Sequence, residues 1–116
     1  MHRRQKFPRI LRLVRAVHYH RTFNQGIRFN RKYLILVMAT NELSYARLGL
    51  AIPKRNVAKA YERNRVKRLI RESFRVRKNL PKADFVFMAR FGIERISNAE
   101  LLRQINELWR QAQELS

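Results

Sequence analysis

The sequence predicts an α/β fold in which one small sheet packs with helices. Three short apolar runs carry that reading first: YLILVMA at 33–39, LGLAI at 48–52 and FVFMARF at 85–91. Their mixture of β-branched, aromatic and leucine residues suits buried strands. Longer stretches around them place apolar residues three and four apart, the spacing of an amphipathic helix. Finally, 116 residues with 46% hydrophobic content can fill one core but not two, so 1–116 is expected to be a single domain.

In chain order, residues 9–25 read as a first helix, with Leu13, Val17 and either His20 or Arg21 at helical spacing and Gly26 as its stop. A short extra strand fits Ile27 to Phe29. The run at 33–39 is a buried strand, and a turn near Thr40 to Ser44 leads to the strand 48–52, where Leu48, Leu50 and Ile52 alternate with smaller residues before Pro53. A strongly basic helix is predicted over 57–78, with Asn56 as N-cap and Asn79-Leu80-Pro81 closing it. After the strand at 85–91, Ser97 and Glu100 have capping-box spacing. Leu101, Ile105, Leu108, Ala112 and Leu115 then form one face of a last helix, and Trp109 reads as core.

Charge narrows the function. The net charge is +19, which on so short a chain points to a polyanionic partner, nucleic acid above all. Residues 1–82 hold 23 of the 27 Lys and Arg and only 3 of the 8 acids, whereas residues 83–116 are close to neutral. The binding surface is therefore expected in the first two thirds, with the last third as scaffold. The absence of Cys excludes disulfides, thiolate metal sites and a cysteine nucleophile. Arginines at 9, 12, 15 and 21 interrupt any secretory apolar run, and 33–39 is too short to span a bilayer. A cytoplasmic protein with no membrane association is expected.

The stretch RNRVKRLIRESFR at 63–75 concentrates the signal, with six basic residues against one acid. On a helical wheel Val66, Leu69, Ile70, Ser73 and Phe74 share one side. Arg63, Lys67, Arg71 and Arg75 step along beside them at i+4, a like-charge ladder that costs a few tenths of a kcal/mol per pair. A helix selected only for stability would alternate the signs. Arg outnumbers Lys five to one here, which suits a planar fork gripping phosphate or stacking on bases.

Catalytic groups are scarce. The chain has one Asp, and four of its seven Glu lie after position 90, so converging carboxylates for two-metal hydrolysis are not in view. His18 and His20 would point about 200° apart on a helix, and Gly26, Gly49 and Gly92 form no phosphate loop. Neither a catalytic nor a metal-ligating residue can be assigned. Tyr19 and Phe23, four apart among cations, are either core or a stacking surface for a single-stranded nucleic acid.

The motif Arg63-Asn64-Arg65-Val66-Lys67-Arg68, followed by Arg71-Glu72-Ser73-Phe74-Arg75, resembles the signature helix of the protein subunit of bacterial ribonuclease P. Phe7-Pro8-Arg9, Leu11-Arg12, Arg47-Leu48-Gly49-Leu50 and Asp84-Phe85-Val86 extend the resemblance over nearly the whole chain. It implies an α+β sandwich, an approximately four-stranded mixed sheet with three helices and a left-handed βαβ crossover through the basic helix. That hand is rare. It further implies a small protein partner of a catalytic RNA, the two together removing the 5′ leader from precursor tRNA, with magnesium held through the RNA subunit. No further protein partner is implied.

By the resemblance, Arg63, Asn64, Arg65, Lys67, Arg68 and Arg71 would contact the RNA subunit, with Lys54, Arg55 and Lys59 nearby. Tyr19 and Phe23 would wall a cleft for the leader, and Arg12 and Arg28 would supply charge there. His18 replaces an acidic residue common in the family, and Pro53 replaces a small polar one. Two other classes share the charge: a structural RNA-binding protein of ribosomal type, and a DNA-binding module using the basic helix. The second lacks the short helix and tight turn that precede a recognition helix.

Overall fold

The structure is a computed structural model that describes residues 11–13 and 15–115. Its elements run α1 (Ala16–Gln25), β1 (Ile27–Asn30), β2 (Leu34–Thr40), β3 (Arg47–Ala51), α2 (Ala60–Val76), β4 (Ala83–Ala89), a short 3-10 turn (Ile93–Arg95) and α3 (Asn98–Leu115). The four strands form one mixed sheet in the order β1-β2-β4-β3. β1 and β2 pair antiparallel, as do β2 and β4, while β3 and β4 are parallel and joined across the sheet by α2.

One face of the sheet carries Leu34, Leu36 and Met38, Leu48, and Phe85, Phe87 and Ala89 into a single apolar cluster covered by α2 and α3. From α2 come Val66, Leu69, Ile70, Ser73 and Phe74, and from α3 Leu101, Ile105, Leu108, Trp109 and Ala112. Trp109 is fully buried, edge-on to both Phe85 and Phe87 with ring centroids 5.0 Å apart. Its indole N–H donates to Ser73 Oγ at 2.9 Å, so the one polar atom of the ring is satisfied inside the core.

The predicted elements are all present, with shifted boundaries. The first helix begins at Ala16, not at 9; residues 9, 10 and 14 lie outside the described residues. Arg12 bridges to Leu48, and Leu13 N–H donates to Leu48 O at 2.9 Å. This stretch therefore covers the free edge of β3 instead of winding, which protects an otherwise unpaired strand edge. Leu13 is buried as expected, but Val17 is 62% exposed, and Thr22 is the buried residue of α1.

Gly26 does end α1, for a reason of space. Its φ is an ordinary −81°, but a Cβ there would sit 2.4 Å from Val37 Cγ1. Asn56 is not the N-cap of α2, which starts at Ala60 after Lys59. The Asn56 amide instead donates to Ala89 O at 2.8 Å, and Arg63 donates to the carbonyls of Val57 and Ala58 just ahead of the helix. Ser97 Oγ accepts from Glu100 N–H at 3.1 Å, as the capping spacing required. Leu115, expected on the buried face of the last helix, is 54% exposed.

Candidate nucleic-acid interface

The second face of the sheet is set out by register. Partners across strands point to the same side, so three transverse rows cross this face. Arg47, Asp84 and Ala39 form the first, Gly49, Val86, Val37 and Arg28 the second, and Ala51, Met88, Ile35 and Asn30 the third. α1 lies over the middle row. Gly26 abuts Val37, and the Tyr19 ring stands over Gly49, where an added Cβ would be 2.8 Å from it. Tyr19 Oη also accepts from Leu50 N–H at 3.2 Å. Burial pushes the Tyr19 hydroxyl above its ordinary pKa, so it stays a neutral phenol at neutral pH.

The third row is left open on one flank of α1. Ala51, Met88 and Ile35 are only half-buried there. Phe23 stands beside this floor and helps enclose a hollow of about 370 Å³ with Ala51, Pro53, Arg55, Lys67 and Met88. At the β1 end Arg90 donates to Asn30 Oδ1 at 2.9 Å, and exposed Arg28 ends the neighbouring row. The result is an apolar trough with an aromatic wall and cations around its rim. Arg90 was not legible as a neighbour of this floor, since only the folded chain brings it to Asn30, 60 residues away.

A smaller hollow of about 200 Å³ lies at the edge of β3, where Arg12 and Tyr19 meet Lys67 and Arg71 of α2. The two hollows share Lys67, so the trough leads into the cationic side of α2. Asn64, Arg68 and Arg71 are exposed along that helix, and Lys54, Arg55 and Lys59 are exposed in the loop before it. The Lys59 ammonium lies 5.7 Å from the ring centre of exposed Tyr61.

Two of the motif arginines, both half-buried, are engaged by other parts of the protein. Arg63 is held by the Val57 and Ala58 carbonyls. Arg65, 17% exposed at its side chain, donates to Asn98 Oδ1 at 2.6 Å and to Glu94 O, and lies 3.4 Å from Glu62. Sequence spacing placed Arg65 off the apolar stripe, which is correct, yet the start of α3 packs there.

On the other flank of α1, Asp84 is fully buried and takes four hydrogen bonds. Arg47 donates to both carboxylate oxygens at 2.8 Å, Arg21 donates at 2.7 Å and Asn41 at 2.9 Å. Burial raises the Asp84 carboxyl, but these bonds outweigh it and hold the group below the usual carboxylate range. The one Asp of the chain is therefore saturated by cations and does not fit a metal site. Among the described residues, no three His, Asp or Glu side chains gather where a metal ion could sit. Nor is any described helix long and apolar enough to cross a membrane.

An α+β sheet protein with an apolar, cation-rimmed trough opening onto an arginine-rich helix belongs to the class of RNA-binding proteins. Comparisons identify the family. The family model for Ribonuclease P matches residues 7–113, and the chain belongs to the ribonuclease P protein family. The ribonuclease P protein component of Cronobacter sakazakii is 44% identical over 105 residues, covering 90% of this chain and 88% of that one. That of Edwardsiella ictaluri is 42% identical over the same shares. Among solved structures, the ribonuclease P protein of Thermotoga maritima aligns with a TM-score of 0.72 at 28% identity, covering 85% of this chain and 96% of that one. The Staphylococcus aureus protein shares the fold with a TM-score of 0.82 at 22% identity, over 88% of this chain and 94% of that one.

Proposed function

We propose that this chain serves as the protein component of ribonuclease P in the bacterial cytoplasm. In this reading its single domain binds the catalytic RNA subunit through Asn64 and the cations Lys67, Arg68 and Arg71 of α2, with Lys54, Arg55 and Lys59 of the loop before it. It holds the 5′ leader of precursor tRNA in the trough beside α1. The RNA subunit, with the magnesium ions it binds, carries out the cleavage, and the protein supplies charge, position and a surface for the leader. The observation that carries this reading is the half-buried row Ala51, Met88 and Ile35, of which Ala51 and Met88 line a hollow with Phe23. An apolar floor with an aromatic and a cationic rim accepts a single strand of any sequence, bases on the rings and phosphates on the arginines. Arg63 and Arg65, held by neighbouring groups, border the same surface and add to its charge; Arg12 and Arg28 add charge at the two ends of the α1 seat. Family membership favours this reading over a ribosomal structural role.

Phe23 separates a leader wall from a core residue. With the protein bound to the RNA subunit, Phe23→Ala is expected to weaken binding of a long-leader precursor by about 1–3 kcal/mol, one lost stack. A precursor with a leader of one nucleotide should bind as to wild type. Equal losses on the two precursors, with a large drop in melting temperature, would make Phe23 a core side chain.

A further inference from the structure

Nothing in a ten-residue helix holds it in place by itself. α1 has no side-chain cap hydrogen bond at Arg15 and buries one residue, Thr22. Its seat depends on what reaches it from the sheet. Tyr19 and Gly26 supply steric contact on the middle row. Three polar contacts add to these: Leu50 N–H donates to Tyr19 Oη at 3.2 Å, His18 lies 3.4 Å from Arg47, and Arg21 forms the charged link, reaching Asp84 at 2.7 Å on the flank away from the trough. Arg21 and Phe23 are two apart on the helix and so point about 200° from each other. One faces the carboxylate and the other faces the trough.

Asp84 does not need Arg21 for its own sake. Arg47 already meets both of its oxygens, and Asn41 donates a further bond. Burying a carboxylate among cations is at best a modest gain in stability over an apolar packing of the same volume. What the arrangement adds is direction: one buried anion ties α1, the β2–β3 turn and β3 to a common point on β4. We propose that Asp84 is a positioning residue which, acting through Arg21, sets where α1 lies on the sheet and so the width of the trough on its other flank. The proposal rests on the leader reading above.

Asp84→Asn leaves Arg47 without a negative partner in a buried place and can fail to fold. Arg21→Gln is the cleaner variant, because it keeps the Arg47–Asp84 pair and the Tyr19 and His18 contacts and cuts only the direct link from Asp84 to α1. Each protein is bound to a bacterial ribonuclease P RNA and tested on precursors with a long leader and with a leader of one nucleotide. Arg21→Gln is expected to bind the long-leader precursor roughly tenfold more weakly. Binding of the short-leader precursor and assembly with the RNA should be unchanged, and Arg21→Lys should restore most of the loss. Equal losses on both precursors, or no loss on either, would overturn the proposal while the wild type still favours the long leader. If the wild type itself does not distinguish the leaders, the leader reading fails and the proposal with it.

Discussion

Asp84 joins three distant segments, α1, the β2–β3 turn and β3, at one buried point on β4. Its partners lie 37, 43 and 63 residues away in the chain, so no local spacing could reveal them. In the sequence Asp84 is visible only as part of a family motif. The same hub gives the fold a defined response to acid. His18 lies 3.4 Å from Arg47, and burial, then the Arg47 charge, lower its pKa. The unfolded chain therefore takes up a proton near pH 6.5 that the folded chain refuses, and stability declines below that pH. Asp84, with its folded pKa depressed, contributes stability that is complete above about pH 4, the ordinary carboxylate value, and is lost as pH falls through the lower folded value. Asp84→Asn, where it folds, is expected to be less stable at pH 7 and to lose less on going from about pH 4 to pH 2. Denaturant melts across that range check this, and an acid loss parallel to that of the wild type would contradict it.

At the scale of elements, α2 was the most legible. Its buried residues, Val66, Leu69, Ile70, Ser73 and Phe74, are those the helical wheel placed on one side. A long periodic helix states its inner face plainly. Its polar side was harder, because the wheel cannot show that the start of α3 comes up against Arg65. This separates two arginines three positions apart. Arg65→Ala should cost about 1–3 kcal/mol of folding stability, since Asn98, Glu94 and Glu62 lose their partner. Arg68→Ala, fully outward, should melt like the wild type and weaken assembly with the RNA subunit by about 1–3 kcal/mol. Thermal melts and RNA titration of both variants decide it; early melting of Arg68→Ala would place that face in the core. α1 was the least legible element. Its N-terminal extension pairs with the edge of β3, and a strand edge in need of cover is a tertiary fact that the spacing of Leu13 and Val17 does not contain.

Across the whole molecule, charge and core divide along the chain. The nearly neutral C-terminal third provides β4 and α3, whose Phe85, Phe87 and Trp109 build the centre of the core. Most of the cations belong to the first two thirds, which supply α1 and the exposed side of α2. The parallel pairing of β3 with β4 across α2 brings those two regions to one edge of the sheet. Composition alone indicated a basic face and an ordinary scaffold, but only the strand order shows that the trough and the cationic helix meet. So much positive charge against folded RNA should replace bound cations near crowded phosphates.

The most direct test of that account is reconstitution with a bacterial ribonuclease P RNA over a magnesium series, scoring cleavage of precursor tRNA. The protein alone should leave the precursor intact at every magnesium concentration, and adding it to the RNA should restore correct cleavage at magnesium levels where the RNA alone is slow. Cleavage by highly purified protein with no RNA present, or a magnesium requirement that the protein does not lower, would contradict it.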